Sequence, residues 1–420
     1  MNNKLQKYNS YKNSGVEWLG NIPEHWEAKK IKHIFFEKKK STNVELNCGA
    51  ISFGKVIYKA DEKVPEATKK TYQVVSKGDF LINPINLNYD LQSLRTALSE
   101  IDVVVSSAYI VLNSNLKLSK EYYKWLLHIF DIVFMKTLGS GVRQTLSFNQ
   151  IANCELVFPP IQEQTTIANF LKDKTAKIEQ AIAIKQKQIE LLKERKHSLI
   201  NKAVTKGINP NVKLKPSDVE WIGEIPEHWE ILPGFRIYKE NKTKKDSKIE
   251  DVVLSLSYGN IVIKPKDKLT GLVPESFDTY QKVKHGDIII RCMDLQNDQT
   301  SLRTGIAKND GIITNAYLNL NIINNNNSEY IYNFLHSLDV TKVLYKFGTG
   351  LRQNLSYSDF KRLQVLLPPI AEQKEIVDFI NLISQKISTT ISLKEKEIEK
   401  LKEYKMSLID SVVTGKIRVN

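Results

Sequence analysis

SGVEWLGNIPEHWE, residues Ser14 to Glu27, returns as SDVEWIGEIPEHWE at Ser217 to Glu230, identical at eleven of fourteen positions. Trp18 pairs with Trp221 and Trp26 with Trp229 at an offset of 203 (221 − 18). Further along, GSGVRQTLS from Gly139 is matched by GTGLRQNLS from Gly348, and the offset has grown to 209 (348 − 139). It stays there through LVFPPIQEQTTIANFL from Leu156 and VLLPPIAEQKEIVDFI from Val365. Solenoid repeats have periods of roughly 20 to 50 residues, far shorter than this. The chain is a tandem duplication whose unit is a whole domain followed by a whole helix.

A length of 420 residues and two copies imply two domains, each large enough to bury its own core. The composition, 41% hydrophobic and 26% charged, is that of a globular protein, and the formal charge of +14 favours a polyanionic partner through long-range attraction. Cys48, Cys154 and Cys292 are odd in number and lack CxxC spacing. Neither a zinc site nor a disulfide framework is indicated, and a reducing cytoplasm fits. The polar start, MNNKLQKYNSYKN, has no apolar h-region, and no apolar run reaches the roughly 18 residues of a membrane span, so neither export nor membrane insertion is expected.

In each copy the IPEHW element sets two tryptophans around a proline-locked turn, Pro23 in one and Pro226 in the other. His25 and His228 beside those rings read as packing or capping residues rather than catalysts. The first body, about Ala28 to Phe158, has short apolar runs such as GDFLI (Gly78 to Ile82) and VVVSSAYIVL (Val103 to Leu112), broken by turn residues. EYYKWLLHIFDIVFMKTL from Glu121 carries apolar residues at helical spacing, and Ser328 to Phe347 is its counterpart. The second body, about Ile231 to Leu367, keeps the order, with LSYGNIVIK for ISFGKVIYK, HGDIII for KGDFLI and SLRT at Ser301 for SLRT at Ser93. Both bodies are α+β.

Pro159-Pro160 and Pro368-Pro369 end the bodies and open long helices, since proline in a first turn loses no helical hydrogen bond. Ile178, Ile182, Ile189, Leu192, Leu199 and Ala203 form a heptad stripe, matched by Ile387, Ile391, Ile398, Leu401, Leu408 and Val412. Such a stripe cannot be buried alone, so the two helices are expected to pair as an antiparallel coiled coil. Lys185, Lys196, Lys394 and Lys405 interrupt the seam, either setting register or snorkelling out of it. The expected plan is a pseudo-twofold tandem repeat: a first domain at 1–158, a helix at 159–206, a linker at 207–216, a second domain at 217–367 and a second helix and tail at 368–420. Pseudo-twofold symmetry matches duplex DNA.

The ordered set of motifs, present twice, resembles the specificity subunit of type I restriction-modification systems from about Ser14 to Lys416. The resemblance rests on the IPEHW elements, the GSGVRQ and GTGLRQ loops, and the FPPI and LPPI junctions with Glu163-Gln164 and Glu372-Gln373. It implies two target-recognition domains (mixed sheet with packed helices) reading an asymmetric, two-part double-stranded DNA target. The helices would serve as a ruler between the halves. The implied partners are two modification subunits carrying S-adenosylmethionine and two restriction subunits using ATP with Mg, with no cofactor and no catalytic site on this chain. The residues agree. An adenine methyltransferase needs a polar-Pro-Pro-aromatic tetrapeptide; Phe158-Pro159-Pro160-Ile161 lacks both flanks and Asn83-Pro84-Ile85 lacks the second proline. No GxxxxGK[ST] occurs. The competing reading is a coiled-coil scaffold that joins proteins without reading DNA.

Residues common to both copies cannot distinguish two half-sites. Arg95 and Arg303 in SLRT, with Arg143-Gln144 and Arg352-Gln353 in the glycine loops, are therefore expected on phosphates, the alternative being that each arginine braces its own domain. Base readers are expected where the copies differ: Asn83 and Asn86 in the first body, Arg291 and Gln296 in the second, because Asn and Gln match adenine edges and Arg matches guanine. Lys55, Tyr58, Ser257, Tyr258 and Asn260 are weaker candidates.

Overall fold

The structure is a computed structural model that describes residues 6–60, 64–85, 94–138, 145–243, 252–265, 279–295, 302–347 and 354–419. Four helices exceed ten residues among those described: α1 (Lys120–Val133), α2 (Ile161–Lys206), α3 (Ser328–Val340) and α4 (Ile370–Val413). With 46 and 44 residues, α2 and α4 run for about 69 and 66 Å.

Two compact units emerge: Met1–Lys185 with Lys396–Asn420, and Gln186–Glu395. Each holds one body, the first part of the helix that follows it and the last part of the other long helix. Chain order alone would put each body with its own helix.

In the first unit a four-stranded antiparallel sheet runs Phe36–Glu37, Ile110–Asn113, Phe80–Ile82, Thr96–Leu98. In the second the order is Tyr238–Glu240, Leu318–Ile322, Ile288–Ile290, Thr304–Ile306, the same topology strand for strand. Phe80–Ile82 and Ile288–Ile290 are buried on both faces, which explains their unbroken apolar sequence. Single parallel bridges, Cys48 with Val104 and Val253 with Ile312, add the mixed character. Each body is closed by a two-stranded ladder from the IPEHW turn to the proline junction, Glu27–Lys30 on Glu155–Phe158 and Glu230–Pro233 on Gln364–Leu367.

α1 begins at Ser119 and α3 at Asn327, whose side chains accept from the free amides of the first turn. In the first core Tyr122, Leu126 and Phe130 of α1 meet Ile167 and Leu171 from the start of α2 and Leu408, Ile409 and Val412 from the end of α4. The second core repeats this with Tyr330, Phe334 and Leu338, the start of α4 (Ile376, Ile380) and the end of α2 (Ile200, Val204). Tyr122 Oη donates to Val413 O at 2.7 Å, and Tyr330 Oη to Val204 O at 3.3 Å. A body is thus completed by the far end of the other helix.

Within the first unit α2 and α4 run antiparallel, with Lys185 Nζ 2.5 Å from Glu397 Oε2 and Lys405 Nζ 2.6 Å from Glu179 Oε1. In the second, Lys394 Nζ donates to Gln188 Oε1 at 2.7 Å. Ile178, Ile189, Ile387 and Ile398 are buried in the expected seam, while the stems of the four lysines lie half-covered and the heads of Lys185, Lys394 and Lys405 reach the partner helix. Those three interruptions therefore both snorkel and pair across, each exposed pair contributing about 0 to 1 kcal/mol.

Candidate nucleic-acid interface

Each body carries its candidate reader segment between the third and fourth strands of its sheet, after Ile82 and after Ile290. In the first, Asn83 N donates to Arg95 O at 2.8 Å, and the Asn83 side-chain oxygen accepts from Ile85 N at 3.2 Å, folding the segment back on itself. In the second, Arg291 N donates to Arg303 O at 2.9 Å, leaving the half-buried Arg291 at the mouth of the segment. Asp294, at φ 60°, donates its amide to the Asn354 side-chain oxygen at 2.9 Å, tying the segment to the end of the glycine loop. Leu146 N to Pro84 O and Leu355 N to Cys292 O make the matching tie in each body. The end of the glycine loop and the start of the segment that follows the third strand are thus neighbours in both copies.

The expectation that Arg95 and Arg303 reach phosphates is corrected by their burial. They are 2% and 1% exposed. Arg95 Nη1 donates to Ile85 O; Arg303 Nη1 donates to Met293 O at 2.6 Å, its Nη2 to Asp294 O at 3.0 Å and its Nε to Tyr345 Oη at 3.1 Å. A guanidinium presents five donors in a fixed fork, so it can hold several carbonyls of an irregular segment at once. These arginines brace the segments after Ile82 and Ile290 from inside. The buried Asp131 and Asp339 accept from the Arg95 and Arg303 amides; burial pushes the Asp339 carboxyl up, against the hydrogen bonds that pull it down. Nothing in a single SLRT marks the arginine as internal. Its identity in both copies was the available signal, since a shared scaffold is kept while readers change.

Asn86, Arg143, Gln144, Gln296, Arg352 and Gln353 lie outside the described residues.

Sequence reasoning left the Glu-Gln pair without a task. Glu163 Oε2 accepts from Trp26 Nε1 at 3.1 Å and from Tyr8 Oη at 2.9 Å, and His25 Nε2 lies 2.5 Å from Oε1. Gln164 accepts from Ser119 N and donates to Pro159 O, as Gln373 accepts from Asn327 N and donates to Pro368 O. The pair therefore fastens the IPEHW turn, the proline junction and the start of α1 or α3 at one point, with the exposed His25 and His228 side chains hydrogen-bonded to Glu163 and Glu372. A cavity of about 570 Å³ in the second unit also escaped notice; Lys196, His197, Asn260, Lys308, Tyr332 and His336 line it. The His336 imidazole, stacked on Tyr332 at 5.4 Å, is pushed down to about 4, chiefly by burial and then by His197.

Among the described residues no helix is long and apolar enough to cross a membrane, and no cluster of three or more His, Cys, Asp or Glu could hold a metal. Residues 23–193 and 230–403 each match a family model described as the type I restriction modification DNA specificity domain. Two proteins of Methanocaldococcus jannaschii that carry the names of type I restriction enzyme specificity subunits, MjaX and MjaVIII, are each 24% identical; MjaX matches over 96% of both chains, and MjaVIII over 95% of this chain and 94% of its own. A chain solved in work on complex assembly and conformational transition of the type I R-M system superposes with a TM-score of 0.65 at 12% identity, covering 93% of this chain and 98% of that one. The HsdS subunit from Thermoanaerobacter tengcongensis gives 0.51 at 13% identity, covering 94% and 98%. Those two likenesses concern the fold.

Proposed function

Because the chain belongs to the type I restriction modification DNA specificity family, whose general role is DNA target recognition, we propose that each body reads one half of an asymmetric, two-part duplex target. Together they direct adenine methylation and restriction by separate partner subunits, two of each kind. Catalysis, S-adenosylmethionine and ATP with Mg belong to those partners in this reading, and the length of α2 and α4 sets the gap between half-sites. Asn83, Asn86, Arg291 and Gln296 are the proposed base readers. Arg143, Gln144, Arg352 and Gln353 are the proposed phosphate contacts, with Arg95 and Arg303 as their internal braces.

The observation that supports this reading is the contrast inside the duplication. Junction bonds, strand order and the buried arginine recur in both bodies, while the segments they hold differ, Asn83-Pro84-Ile85 in one and Arg291-Cys292-Met293 in the other. A fixed frame around two different polar segments suits two readers of different sequence.

The test is to map modified adenines across a genome in cells carrying this chain with its methyltransferase partner, and again after its deletion. A chain-dependent motif of two unlike half-sites at a fixed gap is expected. A methyltransferase whose motif survives the deletion would refute the role, and a complex with no sequence preference at moderate salt would favour the protein-joining scaffold.

A further inference from the structure

Phe53 and Tyr258 stand at the tips of matching hairpins, Gly49–Ser52 paired with Lys55–Tyr58 and Leu254–Ser257 paired with Asn260–Ile263. In each, two residues connect the strands and both have positive φ: Phe53 at 47° and Gly54 at 73°, Tyr258 at 45° and Gly259 at 76°. This is the mirror-image turn that suits hairpin twist and favours Asn-Gly. A bulky aromatic at its first position is a backbone outlier of the kind that clusters at functional sites. Both rings are 82% and 78% exposed and belong to no core cluster among the described residues, so packing does not explain them.

The surroundings hold each tip in this shape. A side chain on Gly54 would come within 3.0 Å of Leu94, and one on Gly259 within 3.1 Å of Leu302, the leucines of the two SLRT segments. The hairpin tip is therefore seated against the residue next to each bracing arginine, beside the reader segment. The inner faces of the hairpins pack into small cores through Ile51, Val56, Leu254 and Ile261. Ile57, Tyr58, Val262 and Ile263 are exposed along the second strands, and Lys55 directly follows the first tip. At Phe53 an exposed ring beside the Lys55 ammonium has the chemistry of a nucleic-acid contact, a cation for a phosphate and a ring for a base, and at Tyr258 the exposed ring stands beside the amide of Asn260.

Resting on the DNA-reading function above, we propose that Phe53 and Tyr258 are wedge residues, each inserting its ring at a base step of its half-site and partly unstacking it. Every base has a π-face, so such a contact is blind to sequence. That accounts for a ring shared by two readers whose neighbouring segments differ. Rigid apolar wedges open base steps in this way, and an unstacked step lies closer to the extruded base that an adenine methyltransferase requires.

The test uses the full chain in complex with its methyltransferase partner and a duplex of the mapped motif, with 2-aminopurine placed at successive positions of each half-site. Wild type should raise the fluorescence at one step per half-site. Phe53→Asn, which installs the residue that the turn favours, should keep or raise the Tm, weaken binding about 5- to 150-fold and abolish the rise in one half-site alone. Tyr258→Asn should do the same in the other, Phe53→Tyr should restore the signal, and the methylated motif should stay unchanged. Asn variants that bind and unstack like wild type would overturn the wedge while leaving target reading intact. Wild-type complex without preference for the motif would overturn both.

Discussion

Trp26 and Trp229 fill the same corner of their units, at 0% and 1% exposure, yet only one is hydrogen-bonded at the indole nitrogen. Trp26 donates to Glu163, whereas Trp229 Nε1 makes no hydrogen bond among the described residues. The difference comes from outside the repeated element. In the first unit Tyr8 packs edge-on to Trp26 at 5.7 Å and shares Glu163, and the segment around it is held by the tail through Arg418 N to Gln6 O at 2.7 Å. In the second, the linker passes instead, with Gly207 at φ 74° beside Glu372 and Trp229. By contrast, bonds made by side chains inside the repeat, from Gln164 and Gln373 or from His25 and His228, recur in both. Symmetry in this molecule is a property of the element and ends where the flanking chain differs.

The strongest check of that symmetry is truncation of the buried amides. Gln164→Ala and Gln373→Ala should each cost about 2 to 4 kcal/mol, because each strands a backbone donor and a buried carbonyl that the buried amide now satisfies. Urea unfolding should give the two losses within about 1 kcal/mol of each other; a silent member would break the equivalence of the junctions.

Acid should separate the units. His336 takes up its proton near pH 4 in the fold but near 6.5 when unfolded, so its contribution is complete above about pH 6.5 and fades as pH falls toward 4. The loss over that window should be on the order of 2 to 3 kcal/mol. Stability against pH for the wild type minus that for His336→Asn is the readout, and a flat difference would contradict the burial of the imidazole.

The smallest effect sharpens the opening contrast. Trp26→Phe should cost about 1 kcal/mol more than Trp229→Phe, since only the first loses a hydrogen bond to a carboxylate. Equal costs in the same unfolding experiment would remove the distinction between the two corners.

Much of the architecture was legible because it is written in local chemistry. The IPEHW repeat, the double prolines and the heptads of isoleucine and leucine announce a lead-in turn, a stop and a rod whatever surrounds them. The GDFLI run was visible as a strand, though not the task of its aspartate: Asp79 is buried and accepts from Ser76 N at 2.8 Å and Lys38 Nζ at 2.7 Å. The reading of SLRT went wrong because arginine has the same composition signal on a phosphate and inside a fold. Only its 1 to 2% exposure and its carbonyl partners separate the two. Phe53 was invisible for the converse reason: an aromatic in a hairpin is ordinary until its positive φ and exposure are known.

The sequence by itself determined that the chain is a duplicated domain and helix, which family it resembles and where the copies diverge, since identity and periodicity are carried by residue types in order. Tertiary structure alone decided which helix end closes which body, which arginines are internal and which rings face solvent. Tyr122 finds Val413 across 291 residues of chain, and Tyr330 finds Val204 across 126. Such partners are selected by the shape and burial of packed surfaces, to which no neighbouring residue in the sequence bears witness.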